Sequence, residues 1–258
     1  MRLKSFAAVC GMLALAVGVY SCGGGGGGGG SLKEVVEESY PSGAKKKVSY
    51  YGGGKALART TFFFEDGKMQ SDQFFKNGQA DSTKIIYNAD GSTRKLSTFS
   101  EGKPHGPEKE WYDGGQIKSE GAYADGVPVG AFKSYYSDGT VASEANYKDG
   151  KKDGEEISYY SDGKKMRVRT YVAGDQEGPE VEYYENGAIK KEQMFSKNAL
   201  NGPFKTYHKD AKGQGKVEES GAYIDGKYEG ERLQFDKSGK KISKAIYKDG
   251  KMEFGERY

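Results

Sequence analysis

After position 22 the chain has no cysteine, since its two, Cys10 and Cys22, both lie in the first 22 residues. A domain folded from the remainder has no disulfide, no thiolate metal site and no cysteine nucleophile. Histidine is nearly as scarce. His105 and His208 are the only two, four repeats apart, so a shared metal or catalytic pair is not expected. No G-x-S-x-G elbow, P-loop or dinucleotide fingerprint is present. Charge of one sign is also missing. The chain has 40 basic and 37 acidic side chains, and Arg2 and Lys4 belong to the leader, which leaves no electrostatic case for nucleic acid. No enzyme activity, metal or cofactor is expected from these residues. Hydrophobic residues are only 35%, too few for an ordinary core, yet aromatics reach 13%, too many for a disordered chain.

The first 39 residues stand apart. Arg2 and Lys4 precede an apolar run, residues 6–19, that is short for a membrane span. Val19-Tyr20-Ser21-Cys22 resembles a bacterial lipobox, with Tyr20 an unusual occupant. The resemblance implies a lipoprotein signal peptide over 1–21, cleavage before Cys22, and a lipid on Cys22 that anchors the chain to a membrane. A plain secretory signal or an uncleaved anchor is the alternative. Eight glycines, residues 23–30, then form a flexible tether with an r.m.s. span of about 15 Å. Glycine after the cysteine resembles outer-membrane lipoproteins, so the expected address is the bacterial cell envelope. Residues 22–39 read as acylated terminus, tether and leader, with 31–39 either a helical turn or extended.

From residue 40 to 258 the chain repeats itself. One column of glycines, 43, 67, 91, 115, 139, 163 and 187, steps by 24 and resumes at Gly239. A second runs 54, 78, 102, 126, 150 and 174, with Asn198 in the next slot and Gly226 and Gly250 after a four-residue insertion placed within 210–215. Aromatics keep the same period. Tyr51, Phe75, Phe99, Tyr123, Tyr147, Tyr171, Phe195, Tyr223 and Tyr247 stand three before the second column. Phe63, Tyr87, Trp111, Tyr135, Tyr159, Tyr183, Tyr207 and Phe235 stand four before the first. Asp-Gly and Asn-Gly between runs of strand length predict β-hairpins with type I′ turns, to which Asp66, Asp90, Asp138 and Asp162 are assigned. The second connection reads as the longer one, with a further glycine at 106, 130, 154, 178, 202 and 230 and prolines in or beside it. The expected fold is all-β: a repetitive hairpin meander of about 18 strands in one elongated, curved or rolled sheet.

The pattern GxxxxYYxDGxxxxExxYxDG, as in GAFKSYYSDGTVASEANYKDG at 130–150, resembles the MORN repeat in its bacterial variant form, often labelled the YwqK-type antitoxin family. The resemblance covers roughly residues 40–253. It implies a β-sheet scaffold and, through the label, an antitoxin or immunity role. The early units depart from it, with Ala58 and Ser82 in the third-glycine slot and Asn88 in an aromatic one.

Two features are candidates for a site. Glu120, Glu144 and Glu192 share a column and read as a solvated face paired with lysines such as Lys118 and Lys190. Tyr112, Tyr136, Tyr160 and Tyr184 lie on the face opposite Trp111, Tyr135, Tyr159 and Tyr183. One set is core and the other a candidate binding face able to stack on sugars, peptides or lipid rims, unless both merely pack the sheet. The expected role is a non-enzymatic envelope lipoprotein whose sheet binds a protein partner or organises the surface. A glycan-binding module using the tyrosine face is the alternative from the residues, and the antitoxin reading comes from the label alone.

Overall fold

The computed structural model describes residues 32–258. The signal peptide read over 1–21, the lipid site Cys22 and the glycine tether lie outside the described residues. The sheet begins earlier than the repeats suggest, because Lys33–Ser39, read as leader, is its first strand and pairs antiparallel with the second. In order the strands are β1 Lys33–Ser39, β2 Lys45–Tyr51, β3 Leu57–Phe63, β4 Met69–Lys76, β5 Gln79–Tyr87, β6 Thr93–Ser100, β7 Lys103–Trp111, β8 Ile117–Ala124, β9 Val127–Tyr135, β10 Val141–Lys148, β11 Lys151–Tyr159, β12 Lys165–Val172, β13 Asp175–Tyr183, β14 Ile189–Ser196, β15 Ala199–Tyr207, β16 Val217–Ile224, β17 Lys227–Phe235, β18 Lys241–Lys248 and β19 Lys251–Arg257. Each pairs antiparallel with its sequence neighbours, giving one open 19-stranded meander.

The two turn types are the reverse of the expectation. At 136–140, Tyr136 N–H donates to the Thr140 carbonyl, Gly139 N–H donates to the Tyr136 carbonyl, and of the turn residues only Gly139 has positive φ. This is a type I turn closed by a left-handed glycine, and Asp66, Asp90, Asp138 and Asp162 sit in such turns, each accepting from the N–H two residues on. The type I′ turns are at the second column. There Asp149-Gly150 has φ +51° and +80°, and 77–78, 101–102, 125–126, 173–174, 225–226 and 249–250 match it. Those connections are the short ones.

The third glycine is a bulge inside a strand. Ala145 pairs with Glu156 and Tyr147 with Lys152, so one residue of β10, Asn146, faces three of β11, and Gly154 at φ +93° lies in the surplus. The prolines read as lying in connections are therefore in strands. Pro107, Pro179 and Pro203 directly follow bulge glycines, where the ladder is already broken and the missing N–H costs least.

Side chains alternate faces between bulges, so registered neighbours form columns across the sheet. Each aromatic column covers side chains of the hairpin before it, fifteen residues back. Tyr135, Tyr159 and Tyr207 reach Glu120, Glu144 and Glu192 on one face. On the other, Tyr171 reaches Glu156, Tyr147 packs at 4.9 Å on Phe132, and Tyr247 meets Arg232. Phe132 lies across Gly121, and Phe204 across Gly221, so close that a methyl group at either glycine would collide with the ring. Few side chains are fully buried, as a one-layer sheet requires. Val48 and Thr61 have no exposure, and Asp72, Glu180, Gln193 and Phe204 have under 9%.

Candidate functional site

The four tyrosines of the candidate binding face have a structural task. Tyr112, Tyr136, Tyr160 and Tyr184 follow the last residue of their strands and donate their hydroxyls to the main-chain carbonyls of Tyr135, Tyr159, Tyr183 and Tyr207, at 2.8, 2.6, 2.7 and 2.6 Å. Each bond ties one hairpin to the next along the turn edge of the sheet. Tyr40 makes the same bond to Phe63. His208 holds the equivalent position, with Nε2 at 2.8 Å from the Phe235 carbonyl. A carbonyl only accepts, so the proton of neutral His208 is on Nε2. The hydroxyls of this row are spent within the chain and only ring surface remains for a ligand. His105 is in β7, with Nδ1 at 3.3 Å from Asp125.

Two of the three glutamates in the column are paired with lysines, though not with those expected, and Glu192 accepts from Tyr207. Glu120 is 3.0 Å from Lys109, and Glu144 is 3.6 Å from Lys133. Lys118 and Lys190 pair instead with Glu110 and Glu182. The hydroxyl of Tyr135, helped by Lys109, holds the Glu120 carboxyl below its ordinary pKa, and Glu120 in turn pushes Tyr135 up to about 12. Burial, then the neighbouring carboxylate, does the same to Tyr159 and Tyr207, both about 12.

Beside this row, on the same face, lies the feature that the periodicity did not reveal. One position further toward the type I′ edge the column holds Pro107, Ala122, Ala131, Asn146, Glu155, Pro179, Met194 and Pro203. No aromatic ring is placed over it by the fifteen-residue rule. The result is a trough crossing the strands. Depressions of about 270 Å³ over β7–β9 and about 240 Å³ over β9–β11 share Ala131 and Lys133, and another of about 290 Å³ lies over β13–β15 between Pro179, Val181, Met194 and Pro203. Each is small and shallow for an enclosed small-molecule site. The first two make one trough over β7–β11, with Pro107, Ala122 and Ala131 on its floor and the Lys109–Glu120 and Lys133–Glu144 pairs along one side, and the third is a separate depression on the same column. The signal was available in sequence as Gly-Pro and Gly-Ala pairs, but it needed the bulge register to place them on one face. Among the described residues no group of three or more His, Asp or Glu could hold a metal ion.

A family model described as MORN repeat variant matches residues 58–77, 104–125, 128–149, 152–173, 176–197 and 228–249, together half of the chain. No curated protein matches. Among solved structures, a TcdB2-TccC3-Cdc42 crystal structure is similar at 12% identity and TM-score 0.21, over 83% of this chain and 14% of that one. A porin-like protein from Bacteroides uniformis is similar at 10% identity and TM-score 0.20, over 87% and 92%. Scores this low bear on neither fold nor function. The chain thus spans about a seventh of the first of these proteins.

Proposed function

The chain belongs to the MORN repeat variant family, and on that premise we propose that it is a non-enzymatic interaction scaffold, held at the bacterial cell envelope by a lipid on Cys22, whose trough face binds a protein partner. The observation that carries this is the continuity of the trough. Its depressions over β7–β9 and β9–β11 merge through Ala131 and Lys133, so a bound segment is supported over several hairpins. The depressions are shallow, and the edge between them is flanked by alternating lysine and glutamate side chains. Such a surface suits an extended partner that spreads contact along the array.

In-cell cross-linking of the tethered protein, followed by mass spectrometry of the envelope fraction, tests this against an Ala131→Arg variant. Ala131 is exposed, so the substitution blocks the trough without disturbing the fold. One dominant protein recovered with the native chain and lost with the variant supports the reading. Polysaccharide recovered without protein would replace it with the glycan reading, and recovery unaffected by Ala131→Arg would remove the trough from the account.

A further inference from the structure

Among the described residues the sheet has two outer edges, β1 and β19, and they differ. At β1 the charges are already spent: Glu34 is held by Lys45, Glu38 by Lys46, and Glu37 accepts from Tyr51. Two register shifts also interrupt β1, and an acidic, bulged strand is a poor template for a second strand. At β19 all seven residues are exposed, Met252 by 63% and Phe254 by 48%. Its sequence, KMEFGER, is balanced in charge; Lys251 has no ion-pair partner among the described residues, and Glu256 accepts from the Tyr258 hydroxyl at 2.9 Å but forms no ion pair. In earlier hairpins the position of Gly255 carries a side chain with an aromatic over it, as Phe132 has Tyr147. At β19 it is a glycine, and a depression of about 460 Å³ opens there between Tyr247, Met252, Glu256 and Arg257.

We propose that β19 pairs antiparallel with β19 of a second copy of this chain, extending the meander across a two-fold axis. Antiparallel self-pairing that sets Gly255 opposite Met252 of the partner subunit sets Lys251 opposite Glu256 of the partner subunit, twice by symmetry. On this register Lys251 gains a carboxylate partner and Glu256 a cationic one beside the Tyr258 hydroxyl it already accepts from. Lys251 and Glu256 share the trough face, while the two Met252 side chains meet on the opposite face over the glycines, where nothing else fills the depression. Opposite charges facing across a strand pair favour that register, and like charges facing oppose it.

Sedimentation equilibrium of the protein as extracted from membranes, in density-matched detergent, tests the pairing. The native chain is expected to be a dimer. Glu256→Lys alone, or Lys251→Glu alone, places like charges opposite each other at two symmetric contacts and should weaken association about tenfold. The double variant, Lys251→Glu with Glu256→Lys, should restore it. All four proteins should keep the same far-ultraviolet circular dichroism, because both side chains are on the surface. A native chain that stays monomeric, a mass that grows beyond two copies, or single variants that associate as tightly as the native chain would overturn the proposal.

Discussion

The hairpins of β1–β6 and those of β7–β15 solve one problem in different ways. A hairpin in a single-layer sheet cannot bury enough apolar surface alone, so it must be fastened to the next. In the later hairpins the fastening is an unbroken row of hydroxyl-to-carbonyl bonds from Tyr112, Tyr136, Tyr160 and Tyr184, continued by His208. In the early ones Tyr40 makes one such bond, to the Phe63 carbonyl, but Phe64 and Asn88 hold the next two positions and interrupt the row, and Asn88 bonds within its own turn to Ser92. Burial takes over there. Val48, Ser49, Thr60, Thr61, Asp72 and Ser97 are the buried side chains of that part, and Asp72 receives bonds from Arg59 at 2.6 Å and Thr61 at 2.7 Å. Where the edge row is interrupted burial is denser, with six buried side chains against none in β7–β12 and a second group, Glu180, Ala188, Gln193 and Phe204, around β13–β15. The regular hairpins, fastened at their edge, can leave a trough open on one face.

The largest effect should come from attacking burial in the early part. Asp72→Ala strips the buried partner from Arg59 and Thr61 and should cost about 2–4 kcal/mol, measured by urea denaturation. In the regular part, Gly121→Val drives a side chain into the Phe132 ring and should cost about 1–3 kcal/mol in the same assay. Gly121→Ser should cost less. Smaller again is the loss of one edge bond. Tyr160→Phe leaves the Tyr183 carbonyl without its donor and should cost about 1 kcal/mol, and Asn88→Tyr should recover a few tenths by extending the row into the early hairpins. Spectrophotometric titration at 295 nm gives the smallest signal. Tyr135, Tyr159 and Tyr207 are stabilised as neutral hydroxyls, with folded values near 12 against an ordinary 10. Their contribution is complete below pH 10 and lost as pH rises from 10 to about 12. Glu120→Gln should advance the titration of Tyr135 alone. At the acid end the sign reverses: the lowered carboxyl of Glu120 contributes above its ordinary 4.5, and that contribution is lost as pH falls through its folded value.

Much of this architecture is legible in the sequence because the repeat is written in residues with narrow permissions. Glycine columns mark positive φ, and aromatic columns mark the rings that cover each face. Turn type was harder. Asp-Gly serves both turns, and only the hydrogen bonds of Tyr136 with Thr140 and Gly139 distinguish a type I turn closed by glycine from a type I′ turn. Gly121 and Gly221 escaped because they have ordinary backbone angles. Their purpose is to admit Phe132 and Phe204 on the adjacent strands, a contact visible only once the register is known. The trough was hidden for the same reason. Bulges at the third glycine column break the simple alternation by two, so Pro107, Ala122 and Ala131 come onto one face only after each bulge is counted. The tyrosine row was visible as a column, but its hydroxyls point along the array toward main-chain carbonyls, and spacing alone does not show a bond to backbone.

Native-state hydrogen exchange, read strand by strand on the native chain and on Tyr160→Phe, tests the two-fastening account most directly. The amides of β2–β4 should be the slowest in the native chain and unchanged in the variant, while protection should fall about five- to tenfold in β11–β14, the hairpins that Tyr160 joins. A uniform loss across all strands, or faster exchange in β2–β4 than in β9–β15 of the native chain, would contradict the account.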